Sequence, residues 1–129
     1  MLPPNPAGSP ALLVVDDDPD VLKALSFMIE ARGFLVERCT TAREAIVLAD
    51  AGRTFACLVI DQKLPDLNGV DLLAELRSRG LDAPAILITT APSAVLRRRA
   101  AAAGAPIVEK PLLDETLFNQ IHCLLHGAD

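Results

Sequence analysis

The sequence predicts an α/β domain: a doubly wound parallel sheet of five strands with helices on both faces. Three observations carry that expectation. Short apolar runs alternate with amphipathic stretches along the chain, the pattern of successive βαβ units. Leu12-Leu13-Val14-Val15 and Ala85-Ile86-Leu87-Ile88 are apolar at every position, as strands are when helices cover both sides of a sheet. Three apolar runs also lead into ionisable groups: Asp16-Asp17-Asp18 after Leu12–Val15, Asp61 after Cys57–Ile60, and Lys110 after Ile107-Val108. Such strands deliver charge to one sheet edge, and open α/β sheets bind ligands beyond the carboxyl ends of their strands.

Strands are expected near 11–16, 34–39, 55–60, 84–89 and 106–109. The first helix, 19–32, has Pro19 at its start and stops at Gly33, the usual asymmetry of helix ends. Its Val21, Leu22, Leu25, Met28 and Ile29 recur at helical spacing. The second helix, 41–51, opens on Thr41 with Glu44 three residues later, a capping box. The third, 70–79, turns Leu72, Leu73 and Leu76 inward and stops at Gly80. The fourth, 93–103, ends in Ala100–Ala103, which favours helix but offers little side-chain area for packing. The fifth, 113–125, closes before Gly127.

At 129 residues the chain can bury a core without disulfides or metals. With four Phe and no Tyr or Trp, that core is aliphatic. The net charge of −5 argues against a nucleic-acid footprint, and Arg97-Arg98-Arg99 reads as a solvated helix face. Cys39, Cys57 and Cys123 lack metal-type spacing; Cys57, inside an apolar run, reads as a packed reduced thiol. Residues 1–10 contain Pro3, Pro4, Pro6 and Pro10, and no basic residue precedes Lys23. They read as a disordered leader rather than a signal peptide, leaving 11–126 as the domain. No run approaches the ~18 apolar residues of a membrane span, so a cytoplasmic location is expected.

If the strand order is 2-1-3-4-5, strands one and three flank the switch point and Asp16, Asp17, Asp61, Thr90 and Lys110 converge on one crevice. Oxygen-only ligands suit Mg²⁺, which binds through one or two carboxylates, water and phosphate. Beside such an ion a carboxylate can act as nucleophile and form an acyl phosphate. A lysine would meet a phosphoryl oxygen as a point charge, and a threonine hydroxyl would hydrogen-bond another. Asp18 and Asp20 read instead as partners of the first helix's dipole. His122, Cys123 and His126 read as surface groups near a helix C-terminus, which favours protonated histidine.

Four segments, LLVVDDDP (12–19), VIDQKLPDLNG (59–69), ITTA (88–91) and VEKP (108–111), resemble the signature blocks of bacterial response-regulator receiver domains. The resemblance spans residues 11–125 and implies a flavodoxin-like (βα)5 fold. It implies Asp61 as phosphoacceptor, and Asp16 and Asp17 as the acidic pair holding Mg²⁺, Asp17 the closer contact. The backbone carbonyl of Lys63 would be a further metal ligand. Thr90, followed by the small Ala91, would be the switch hydroxyl in preference to Thr89. Lys110 would contact the phosphoryl group, the Lys110–Pro111 bond would be cis, and Pro65 and Gly69 would shape the turn after Asp61. The implied partners are a sensor histidine kinase or phosphotransfer protein, and a downstream protein on the face of the fourth helix, fifth strand and fifth helix. Neither nucleic acid nor membrane is implied, and the expected state is a monomer or weak homodimer. No catalysis is implied beyond its own phosphotransfer and dephosphorylation.

The chain departs from that pattern in places. Ile107 stands where the family usually has Tyr or Phe, and the segment 104–110 is one residue short. Lys63 and Pro92 occupy positions that tune phosphoryl lifetime; a shielding Lys63 and a Pro92 unable to orient water imply a long-lived acyl phosphate. Two rival readings follow. Asp16-x-Asp18 with Thr90 and Lys110 resembles a haloacid-dehalogenase-type phosphatase, but leaves Asp61 without a role and the chain without a late acidic motif or a cap. The missing aromatic points to a receiver fold used for binding without phosphorylation, but such a scaffold has no need of crowded like charges.

Overall fold

The structure, a computed structural model, describes residues 10–110 and 116–126. The leader, the Lys110–Pro111 bond and the expected first turn of the fifth helix lie outside the described residues. The elements are β1 (Ala11–Val15), α1 (Pro19–Glu30), β2 (Leu35–Cys39), α2 (Ala42–Asp50), β3 (Cys57–Asp61), α3 (Gly69–Ser78), β4 (Ala85–Thr89), α4 (Ala94–Ala102), β5 (Ile107–Glu109) and α5 (Thr116–His126). All strand pairs are parallel and the order is β2-β1-β3-β4-β5, as expected. The order reverses between β1 and β3, which opens the crevice at their carboxyl ends.

Local chemistry sets the helix starts. Asp18 caps α1, accepting from the Asp20 and Val21 amides, with Pro19 in the first turn. Its carboxylate is thereby committed to the helix end. Thr41 and Glu44 form the expected capping box on α2, and Asn68 and Ser93 cap α3 and α4. Helix α1 stops two residues short of its expected end, because Arg32 and Gly33 donate to the Ile29 and Glu30 carbonyls in a closing turn. Gly33 ends that turn at φ 93, a left-handed conformation that glycine adopts without strain.

The two faces of the sheet carry separate cores. Leu13, Val15, Leu58, Ile60 and Leu87 pack with Leu72, Leu73 and Leu76 of α3 and Ala45 and Ala49 of α2. Leu12, Val14, Val59, Ile86 and Ile88 pack with Leu22, Leu25 and Ile29 of α1 and Leu117 and Ile121 of α5. Every residue of β1, β3 and β4 is buried, which explains their unbroken apolar runs, whereas the edge strand β2 is half open. Cys57 is a free buried thiol, pushed up to about 12 by its burial, as a packed reduced cysteine should be. Helix α4 buries only Leu96 and Ala100. Its alanines leave it few apolar contacts, and arginines supply part of its attachment. Arg77 of α3 donates to the Ala103 carbonyl at 2.5 Å and the Ala83 carbonyl at 3.4 Å, and Arg99 pairs with Asp71.

Candidate functional site

The acidic cluster is built by strand ends. Val15 pairs with Ile60 across β1 and β3, so the chain leaves the sheet with Asp16 beside Asp61. Both are buried, at 1% and 4% exposure, while Asp17 is open to solvent. Each of the three offers a carboxylate oxygen, and these atoms lie within 4.8 Å of one another. Among the described residues no other cluster of His, Cys, Asp and Glu could hold a metal ion.

Lys110 enters from β5, its backbone amide bonded to the Thr89 carbonyl at 2.8 Å. Its ammonium lies 3.4 Å from Asp61 Oδ1 and 3.6 Å from Asp16 Oδ2. One cation thus serves two buried carboxylates. Burial, reinforced by the charge of Asp16, pushes the Asp61 carboxyl above its ordinary range; Lys110 and the Lys63 backbone N–H oppose that shift.

The donor set fits a hard divalent cation. It is all oxygen, and it carries excess negative charge that one lysine does not neutralise. Asp16 Oδ1 accepts from the Asp18 amide at 3.0 Å, but the buried Oδ2 has no hydrogen-bond partner. The Lys110 ammonium, 3.6 Å away, meets that oxygen as a charge without a hydrogen bond, which leaves it room to accept a closer cation.

The backbone around Asp61 is held closely. Gly69 donates to the Gln62 carbonyl at 2.9 Å, and Val70 donates to the Gln62 side-chain oxygen at 3.0 Å. A Cβ on Gly69 would sit 2.6 Å from the Asp61 carbonyl oxygen, so only glycine permits this approach. Asp66 accepts from the Ala42 and Arg43 amides, each at 2.9 Å. Desolvation pulls its exposed carboxyl up, but those two amides, its own backbone amide and the Arg43 charge prevail and hold it below the usual range.

Sequence reasoning missed Gln62 and Asp66 as organising residues. Gln62 had one signal, its place directly after a strand-end acid. Asp66 had none, because its partners lie 23 and 24 residues away. Of the expected site residues, Asp16, Asp17, Asp61 and Lys110 come together, and the Lys63 backbone joins them through its amide. Thr90 stands exposed just past β4 and is not part of those contacts, and the Lys63 side chain is exposed. Thr89 is buried with its hydroxyl on the Thr90 carbonyl at 3.4 Å, which leaves Thr90 as the hydroxyl facing outward. Ala91 has φ 49, a left-handed conformation that costs an alanine strain at the mouth of the strand. Asp18 and Asp20 serve the end of α1, as expected.

Comparison with known proteins agrees with this geometry. The family model described as response regulator receiver domain matches residues 12–122. The transcriptional regulatory protein FixJ of Rhizobium meliloti (strain 1021) is 34% identical over 109 residues, covering 84% of this chain and 53% of FixJ. The response regulator protein TodT of Pseudomonas putida is 31% identical over 119 residues, covering 91% of this chain and 52% of TodT. The chain therefore spans about half the length of these curated relatives. Among solved structures, FixJ-N superposes with a TM-score of 0.81 at 30% identity, covering 94% of this chain and 97% of that one. The Vibrio cholerae chemotaxis protein CheY4 does so with 0.81 at 26% identity, covering 92% and 100%. The phosphatase and phosphorylation-independent readings are not favoured by these matches. With its strand order, its acid-lysine crevice and a family match over nearly its whole length, the chain belongs to the response-regulator receiver-domain family.

Proposed function

We propose that this receiver accepts a phosphoryl group on Asp61 from the phosphohistidine of a sensor histidine kinase or a phosphotransfer protein. The observation that carries the reading is Asp61 itself: a buried carboxylate beside a second carboxylate, with a lysine ammonium 3.4 Å away. Asp16, Asp17, Asp61 and the Lys63 carbonyl would hold Mg²⁺ there. When bound, the ion would supply positive charge that offsets the carboxylates and the incoming phosphoryl oxygens.

The remaining steps belong to the chain's own residues. A carboxylate oxygen of Asp61 attacks phosphorus in line; the new P–O bond forms as the P–N bond to the donor imidazole breaks, and that nitrogen keeps the bonding pair. Lys110 stays beside the site and meets a phosphoryl oxygen as a point charge. Thr90, the exposed hydroxyl at the end of β4, turns inward to hydrogen-bond another. Lys63, whose side chain is free to swing over the site, shields the acyl phosphate from water and lengthens its life.

The added charge then biases a surface formed by α4, β5 and α5, where a downstream protein binds. Moving such a switch from 1:99 to 99:1 requires about 5.5 kcal/mol of differential interaction, within reach of a few charge-assisted hydrogen bonds. Ile107 leaves no aromatic ring to report the change, so the shift of Thr90 and its following loop transmits it. Among the described residues, no helix is long and apolar enough to cross a membrane.

Intact mass tests the proposal. Incubated with Mg²⁺ and a small phosphodonor, the wild-type chain should gain about 80 Da, the mass of one phosphoryl group, and Asp61→Asn should gain nothing. An unlabelled wild type, under conditions that label other receivers, would sink the proposal.

A further inference from the structure

The turn between β2 and α2 is gripped from two sides. On the β1 side, the Asp16 amide donates to the Cys39 carbonyl at 3.0 Å, so an acid of the cluster is pinned by its backbone to the end of β2. On the β3 side, the two carboxylate oxygens of Asp66 accept separately from the Ala42 and Arg43 amides, each at 2.9 Å. Thr41 and Glu44 already close that helix end from within the β2–α2 segment. Asp66 adds a second clasp on amides that α2 cannot satisfy itself, and its charge meets the positive end of the helix.

The loop carrying Asp66 starts at Asp61 and includes Lys63, whose amide donates to the Asp61 carboxylate. The acidic cluster has two halves, one at the end of β1 and one at the end of β3. Both are therefore braced against the same β2–α2 segment, the β1 half at the Cys39 carbonyl that ends β2 and the β3 half at the first turn of α2. Like charges on Asp16 and Asp61 push those halves apart, and the brace resists that push.

We infer that Asp66 is a positioning residue for the cation seat, holding the Asp61–Lys63 segment at its spacing from Asp16 and Asp17 by its grip on α2. The inference rests on the proposed reading of Asp16, Asp17, Asp61 and the Lys63 carbonyl as ligands. Mg²⁺ demands near-ideal octahedral geometry at short distances, so slack in the loop is lost directly from affinity.

Mg²⁺ itself is the probe, titrated calorimetrically into the full chain and its Asp66→Ala, Asp66→Asn and Thr41→Ala variants at a temperature where each is folded. Asp66→Ala should weaken binding about tenfold, the low end of the effect of losing a supporting contact around a metal. Asp66→Asn keeps one acceptor oxygen and should show a smaller loss; it also preserves the comparison should the alanine variant fail to fold. Thr41→Ala removes a cap from the same helix but leaves the loop clasp, so it should lower stability without changing Mg²⁺ affinity. In metal-free protein, the Lys63 amide should exchange with solvent faster in Asp66→Ala and not in Thr41→Ala. A folded Asp66→Ala or Asp66→Asn that binds Mg²⁺ like wild type would overturn the inference. So would a Thr41→Ala loss equal to that of Asp66→Ala, because helix stability alone would then explain both. A wild type that binds no Mg²⁺ would instead remove the functional reading beneath it.

Discussion

At the scale of single residues, the crevice depends on what each charge is committed to. Asp16, Asp17 and Asp18 are three identical side chains in a row, yet the first is buried with one oxygen that has no hydrogen bond and the second is open to solvent. The third is spent on the α1 cap. Lys63 is likewise divided, with its backbone at Asp61 and its side chain in solvent. That division makes its side chain testable without disturbing the seat. Lys63→Asn should leave labelling of Asp61 intact and hydrolyse the acyl phosphate about tenfold faster, a barrier change of about 1.4 kcal/mol. Decay of the labelled protein, followed by intact mass, checks this; an unchanged or slower decay would rule out shielding by Lys63.

At the scale of elements, the helices differ in how they are held. Helix α3 buries Leu72, Leu73 and Leu76 completely or nearly so, and each such side chain stabilises by about 1.5–3 kcal/mol relative to an exposed one. Helix α4 has only Leu96 and Ala100 to bury, so the contacts of Arg77 and Arg99 matter more to it. Of the three arginines read as a solvated face, Arg97 and Arg99 do remain well exposed, but they pair with Glu109 and Asp71. Exposed pairs of this kind contribute about 0–1 kcal/mol. Arg77 reaches the carbonyl that ends α4, and hydrogen bonds to charged groups are worth about 1.5–3 kcal/mol. Arg77→Ala should therefore lower unfolding stability by about 1–3 kcal/mol in urea. Hydrogen exchange should accelerate at the Ala103 and Gly104 amides more than in α2. A uniform acceleration would show that α4 does not depend on this arginine.

At the scale of the whole molecule, the acidic crevice sets function against stability. The Asp61 carboxyl is raised above its ordinary value of 3.8, so the fold disfavours its ionised form. The sign follows from linkage: relative stability is greatest where Asp61 is protonated and falls as pH rises from the ordinary carboxylate value through the raised one. Above the raised value the metal-free fold bears that penalty. Asp61→Asn removes the charge and should raise the melting temperature of metal-free protein at pH 7. A gain of about 1 kcal/mol corresponds to roughly 3–5 °C in a domain of this size. The gap should close as pH falls toward 4 and shrink with saturating Mg²⁺, which stabilises only the fold that binds it. Melting curves against pH, with and without Mg²⁺, test this; a destabilised Asp61→Asn at pH 7 would contradict the assigned sign.

The periodicity of apolar residues determined by itself that β1 and β4 are buried on both faces, because strands in a sheet covered on both sides carry apolar residues at successive positions. Short-range chemistry was equally legible: Thr41 with Glu44, Pro19 after Asp18, and Gly33 lie within a turn of what they cap. The strand-end acids and Lys110 were readable because each sits at or just past the end of its strand. Tertiary structure alone decided which distant groups share a contact. It placed Asp66 on α2 and made Gly69 graze the Asp61 carbonyl. It also tied α4 to α3 through Arg77 and left one oxygen of Asp16 without a hydrogen bond. The physical reason is separation along the chain. Capping and periodicity act over a few residues and leave a pattern in sequence, whereas a carboxylate meeting an amide 24 residues away does so only after the sheet has brought the two loops together.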